Sequence, residues 1–170
     1  MPPETPAPDV APRERARQAL DAAGAPYAIT EHGPVDSLEQ AAAARGLRPE
    51  QVLKTIVVRR GEDDFLFVLV PGGRQISWPK LRHLLGVSRL SLPDKDVARE
   101  VTGYERGTIT PFGSWRAWPV VADAHVAGAG PVSVGAGAPG VAATLDADAL
   151  VRVLRADVAD VTDLAAPRDR

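Results

Sequence analysis

The chain has 170 residues and a formal net charge of −2, which suits one domain whose core needs no covalent staple and gives no global basic field for long duplex nucleic acid. It contains no cysteine, which excludes disulfides, thiolate metal sites and a cysteine nucleophile. Its three histidines, His32, His83 and His125, stand far apart in no HxxxH or HExxH spacing, which argues against a zinc enzyme.

The first dozen residues, MPPETPAPDVAP, have neither a basic start nor an apolar h-region and do not read as a signal peptide. No apolar run approaches the roughly 20 residues of a membrane span. A cytoplasmic protein with a disordered Pro-rich tail over residues 1–12 is therefore expected. Residues 13–23 carry Ala16, Leu20 and Ala23 at helical spacing and stop at Gly24. Pro26 precedes a short edge strand over 27–31, and His32-Gly33-Pro34 reads as a turn. Ser37, with Gln40 three residues on, opens a helix that ends at Gly46.

Residues 52–58, VLKTIVV, read as a β-strand rich in β-branched residues. Alternation puts Lys54 on one face with Val52, Ile56 and Val58. A lysine there must meet an anion or snorkel to water, and the pattern alone does not choose between them. Residues 59–64, RRGEDD, read as a polar hairpin loop, and 65–70 as a strand apolar on both faces and so central. After Pro71-Gly72-Gly73 comes a brief strand at Ile76, then a helix capped by Ser77 with Pro79 in its first turn. Residues 87–92 suggest a short strand or extended link, and Asp94 caps a helix to about Val101. Residues 103–113, GYERGTITPFG, hold three glycines and a proline and read as a loop. Short strands are expected over 118–122, 124–126, 132–134 and 141–145, with a Gly-rich link at 135–140. A last helix follows, capped by Asp146, and the chain closes on a polar tail over 161–170. Hairpin-linked strands with inserted helices, rather than strict βαβ alternation, predict a single α+β domain over 13–160 with a curved, mixed, mostly antiparallel sheet surrounded by helices.

The chemistry narrows by elimination. There is no GxSxG elbow and no GxxxxGK[ST] loop. Residues 135–140 are glycine-rich, but no helix opens behind them, so a dinucleotide site fails. What remains is Lys54 with Thr55 on a strand, and two glycine-rich loops able to bring backbone N–H groups close to a ligand. A lysine with backbone donors suits a phosphate or carboxylate. His32 reads as a turn histidine satisfied by water rather than a catalytic one, His83 as structural, Asp123 and His125 as surface residues with a coupled pair the alternative, and Trp115 and Trp118 as lid or core residues with base stacking the alternative.

Three stretches in order carry a resemblance: Gly-Leu-x-Pro-x-Gln-Val-Leu-Lys-Thr-Ile-Val-Val from residue 46, Thr-Gly-Tyr-x-x-Gly-x-Ile-x-Pro-Phe-Gly from residue 102, and Val-Ser-Val-Gly-x-Gly-x-x-Gly from residue 132. Over roughly residues 13–160 the chain resembles the YbaK/EbsC family, stand-alone relatives of the editing domain inserted in bacterial prolyl-tRNA synthetases. The resemblance implies a cofactor-free, metal-free deacylase that hydrolyses the ester of mischarged tRNA, tRNA for proline or a similar one, with no membrane. With so little basic charge the chain is expected to read mainly the acceptor end of the tRNA or to borrow affinity from a synthetase such as prolyl-tRNA synthetase. It implies that Lys54 anchors a phosphate at the tRNA terminus and that Gly107 and the loop behind it, Thr108, Ile109, Pro111, Phe112 and Gly113, line the aminoacyl ester. Tyr27 and Thr55 become pocket residues, and Ser133, Gly135 and Gly137 belong to the second loop. Departures fall where many relatives carry a basic pair, here Ala138 and Pro139, and where some carry Ser and Asp, here Gly135 and Ala142. These departures keep open a non-catalytic binding module for the aminoacyl end or a small prolyl-like ligand. A lysine-dependent Schiff-base enzyme is a third reading.

Overall fold

The structure is a computed structural model and describes residues 10–166. Most of the expected N-terminal tail (1–9) and the end of the C-terminal one (167–170) lie outside the described residues. Five helices are described: α1 Pro12–Ala23, α2 Leu38–Arg45, α3 Trp78–Leu85, α4 Lys95–Thr102 and α5 Ala147–Leu154. The nine strands are β1 Ala28–Glu31, β2 Leu53–Gly61, β3 Asp64–Pro71, β4 Arg74–Ile76, β5 Val120–Asp123, β6 Pro131–Gly135, β7 Val141–Asp146, β8 Asp157–Ala159 and β9 Thr162–Leu164. Helix starts follow the side chains that can accept orphan N–H groups: Ser37, Ser77, Asp94 and Asp146 each accept from the residue three positions on. Gln40 completes the start of α2 by accepting from the Asp36 N–H, one residue before the cap.

The strands form an α+β fold of three sheets. β1-β7-β6 is antiparallel, β2-β3-β5-β8 is mixed, and β4-β9 is an antiparallel pair. A single parallel bridge, Val52 to Ser133, joins the first two at the foot of β2. β3 is central, as its composition requires. Phe65, Phe67 and Leu69 enter one core with α1, α5 and the β6-β7 face, while Leu66, Val68 and Val70 enter a second core under α3. All six are at most 2% exposed.

Four segments differ from the sequence expectation. The supposed loop at 59–64 is mostly strand: β2 runs to Gly61 with a bulge between Arg59 and Gly61, and the turn is two residues, Glu62 and Asp63. Ladder bonds are made by backbone, so the polar side chains of Arg59 and Arg60 did not stop the strand. The expected strand at 124–126 is a 3-10 turn, because the Asp123 carboxylate accepts the His125 N–H and tightens the chain. The strand expected from residue 118 begins at Val120. The domain also continues past residue 160, where polar Thr162–Leu164 pairs with β4. Within 87–92, Ser91 alone pairs, to Arg59, so this is an extended link.

Asp123 is fully buried, while the His125 side chain stays half-exposed. Its carboxylate accepts from the His125 N–H at 3.0 Å, His125 Nδ1 at 2.8 Å and the Val161 N–H at 3.2 Å. Burial pushes this carboxyl up, but the hydrogen bonds outweigh it and hold it below the ordinary value. Stability from this group is therefore fully present above the unfolded carboxylate value of about 3.9 and is lost as pH falls through the lower folded value. In urea melts, Asp123→Asn costs clearly more stability at pH 7 than at pH 3; an equal cost at both would show that the carboxylate charge is not what is bonded.

Candidate functional site

Val52, just before β2, bridges Ser133 of β6, and the two segments run parallel there. Two residues further on along each strand stand Lys54 and Gly135. β2 is the edge of its ladder, so beyond the bridge the two sheets part and leave a cleft of about 790 Å³. Its walls come from Val52 and the first half of β2 (53–57), the 92–95 segment with Ala98 of α4, the tip of the 103–113 loop, Gly135, and Arg45 from the end of α2. The side chains are largely apolar, with four cations, Arg45, Lys54, Lys95 and Arg106, and one carboxylate, Asp94. That carboxylate is engaged, since Oδ1 accepts the Val97 N–H at 2.9 Å to cap α4.

Lys54 pairs with Val70 in the ladder and is exposed. Ile56 and Val58 on the same face are covered by the α3 core, and that cover ends before Lys54. Its ammonium forms no ion pair or hydrogen bond with any described residue. Thr55 faces the other way. Its Oγ1 is buried without a hydrogen-bond partner, and of the three such hydroxyls among the described residues it is the one on the cleft wall. A buried hydroxyl left unmatched costs about 1–3 kcal/mol, which a ligand's donor or acceptor can recover.

The glycine loop is built from beneath. Gly103 ends α4 at φ +78°. Tyr104 is fully buried and donates from its hydroxyl to the Phe112 carbonyl at 2.6 Å. Thr108 donates through its backbone N–H and its hydroxyl to the Glu105 carbonyl, at 3.0 and 2.7 Å, and its own carbonyl accepts from the Gly137 N–H at 3.1 Å. These bonds hold Gly107 at the exposed tip with φ +88°, open space where a Cβ would lie, and an N–H that no described residue accepts. Glycine is required there for the left-handed backbone rather than for room.

Of the residues expected at a site, Lys54, Thr55, Gly107, Ile109 and Gly135 line this one cleft. Ser133 lies directly behind it, fully buried, accepting from Arg45 Nη1 at 3.0 Å. Thr108 and Phe112 are buried in the loop's support, Pro111 is half-buried beside them, and Gly113 packs against the Arg15 backbone. Gly137 is taken up by packing, since a Cβ there would meet the Pro12 carbonyl oxygen at 2.6 Å. Tyr27 leans on the main core with its hydroxyl donating to Asp21, away from the cleft lining. Trp118 is core, edge-on to Phe65 at 5.2 Å. His32 is held rather than free: its Nε2 accepts from Arg45 Nε at 3.3 Å.

Arg45 is what the sequence reading missed. It lines the cleft, is half-buried, and has no carboxylate partner among the described residues. Burial pulls its pKa down, yet a guanidinium stays charged. Its signal in the sequence, a cation in the last turn of an alanine-rich helix, reads equally as a complement to the helix dipole. Among the described residues no group of three or more His, Asp or Glu side chains is placed to hold a metal, and no helix is long and apolar enough to cross a membrane.

Fold and cleft together define a class: a small α+β domain in which cations with no carboxylate partner among the described residues face glycine backbone across an apolar cleft. Comparison with known proteins then names the family. The sequence profile of the aminoacyl-tRNA editing domain matches residues 32–153, and the chain belongs to that family. Two curated relatives are proline–tRNA ligases. That of Syntrophotalea carbinolica is 34% identical over 103 residues, covering 58% of this chain and 18% of the ligase. That of Heliobacterium modesticaldum is 35% identical over 92 residues, covering 54% and 16%. The chain thus spans less than a fifth of the length of these relatives. Among solved structures, a candidate trans-editing enzyme for prolyl tRNA synthetase superposes with a TM-score of 0.81 at 24% identity, covering 91% of this chain and 99% of that one. The hypothetical protein APE2540 superposes at 0.78 and 23% identity, covering 88% and 100%. Both structures share the fold.

Proposed function

We propose that this chain is a cytoplasmic, trans-acting deacylase that hydrolyses the ester of mischarged aminoacyl-tRNA, with tRNA for proline the first candidate. The observation that carries this reading is the meeting of Lys54, the free Gly107 N–H and Gly135 in one cation-rich cleft of an editing-domain fold. Lys54 holds a phosphate at the tRNA terminus, as an ammonium with three donors and no competing partner among the described residues. Gly107 offers its N–H to the ester carbonyl oxygen as that oxygen gains charge. Water adds to the carbonyl carbon, and the terminal ribose oxygen leaves and takes up a proton, giving free amino acid and tRNA with its hydroxyl restored. The cleft's one carboxylate is occupied as a helix cap. The proton is therefore handled by a substrate hydroxyl or by water, and binding supplies orientation.

A panel of tRNAs for proline charged with alanine, cysteine or serine tests this reading. Release of amino acid from at least one by the wild-type chain supports it. Tight binding of a non-hydrolysable aminoacyl-adenosine analogue with no release from any would instead make the chain a binding module.

Arg45 holds spare donors toward the same space and positions the aminoacyl end. Arg45→Met raises KM for the charged tRNA about tenfold, the loss of one charge-assisted hydrogen bond, and changes kcat less. Stability falls by about 1 kcal/mol through the orphaned Ser133 hydroxyl. An unchanged KM in steady-state deacylation would remove Arg45 from substrate binding.

A further inference from the structure

The cleft does not use all the positive charge that β2 carries. Past Val57 the strand continues to a second concavity of about 520 Å³, whose lining includes Arg59, Arg60, Glu62, Arg82, Arg89 and Ser91. The two hollows share a wall: the 88–91 stretch borders this groove and 92–95 borders the cleft. That wall is pinned to the strand by paired backbone bonds, Arg59 N–H to Ser91 carbonyl at 2.8 Å and Ser91 N–H to Arg59 carbonyl at 3.0 Å.

The groove gathers four guanidiniums against one carboxylate on a chain whose formal net charge is −2. Arg60 is held by Asp64 at 2.9 Å, and Arg59 lies over the Phe65 ring at 5.8 Å from its centroid. Arg82 and Arg89 have no carboxylate partner among the described residues, so their forks are free for an anion. Like charges concentrated in a concave wall repel one another, and an anionic ligand relieves this. From Lys54 to Arg59 the strand rises roughly 17 Å at about 3.3 Å per residue, a span of several nucleotides rather than one phosphate, and because alternation turns the two side chains to opposite faces the connection between the hollows runs along the 88–95 wall.

We propose that this groove binds the phosphates of the RNA strand leading to the 3′ end, so that the groove, the shared 88–95 wall and the cleft form one track from the acceptor strand to the ester. The proposal rests on the deacylase reading for its substrate, but its test reads binding apart from turnover. Arginines are suited to phosphate by their planar, bidentate geometry, and contacts to backbone carry affinity rather than sequence preference.

The test uses the full chain with Arg82→Gln and Arg89→Gln together, checked for an unchanged melting curve. Binding of uncharged tRNA transcript is measured across a salt series, and hydrolysis is measured on charged tRNA and on an aminoacyl-adenosine too short to reach the groove. Affinity for tRNA falls about tenfold or more, and the slope of log K against log salt shrinks by about 1.4, near 0.7 for each lost contact to a single strand. Turnover of aminoacyl-adenosine stays at the wild-type value. Unchanged tRNA affinity and slope would overturn the groove, and so would an equal loss on aminoacyl-adenosine. If the wild-type chain hydrolyses nothing yet the slope still shrinks, the groove stands and the deacylase reading falls.

Discussion

Replacing Lys54 by alanine lowers kcat/KM for mischarged tRNA about 10- to 100-fold and leaves thermal stability nearly unchanged. The magnitude follows from the loss of a charge-assisted contact to phosphate, about 1.5–3 kcal/mol. The absence of a stability effect follows from the environment. Lys54 is exposed, bonds to no described residue, and keeps its ladder pairing with Val70 through backbone that alanine also has. Single-turnover deacylation beside a melting curve separates the two quantities. Equal rates for the two proteins would leave Lys54 as a snorkelling surface lysine, and a large fall in melting temperature would make its role structural.

Arg15→Met has the reverse signature, with stability lost first and activity through it. Arg15 lies on α1, is 3% exposed, and donates from Nε to the Gly113 carbonyl at 2.8 Å and from Nη2 to the Gly103 carbonyl. Its guanidinium sits 4.5 Å from the centroid of Tyr104. One side chain thus ties both ends of the loop that presents Gly107. Both ends are also closed to larger residues: Gly103 and Gly113 have positive φ, and a Cβ on Gly113 would meet the Arg15 carbonyl oxygen at 2.6 Å. Burial raises the Tyr104 hydroxyl to about 12, so it remains a donor to Phe112 across the usable pH range. Removing the guanidinium orphans two carbonyls and costs roughly 3 kcal/mol, or about 6–12 °C in melting temperature for a chain of this size. Activity falls although Arg15 is not among the residues lining the cleft. A melting temperature within 2 °C or so of wild type would show that the loop is held by Tyr104 and Thr108 alone.

Much of this architecture is legible in local chemistry. The four caps, the glycine stops and the two-sided apolar run of β3 each act within a few residues of themselves, and all appear where the sequence places them. The Lys54 strand is legible too, because an alternating pattern interrupted by a cation is a local signal. Arg15 and Arg45 are not. Each sits on an ordinary helix, and the groups that give it meaning lie 98 and 88 residues away. Strands β8 and β9 are hidden for another reason: Asp157–Ala159 and Thr162–Leu164 pair through backbone and offer little apolar pattern. The second glycine loop shows the ambiguity of glycine itself. Gly135 admits the 103–113 loop, with the Ile109 carbonyl oxygen 3.1 Å from where its Cβ would lie, whereas Gly137 and Gly140 make room for the backbone of Pro12 and His32. Composition alone cannot tell approach to a ligand from approach to a neighbouring strand or helix.

We propose one cleft, floored by Lys54 and roofed by Gly107, as the seat of the aminoacyl end of tRNA. Its most direct test is amide shift mapping of the ¹⁵N-labelled chain titrated with a non-hydrolysable aminoacyl-adenosine monophosphate analogue. Saturable shifts are expected at Thr55, Gly107, Ile109 and Gly135, with affinity weakened at least tenfold by Lys54→Ala. Shifts centred elsewhere, or an affinity indifferent to Lys54, would contradict it.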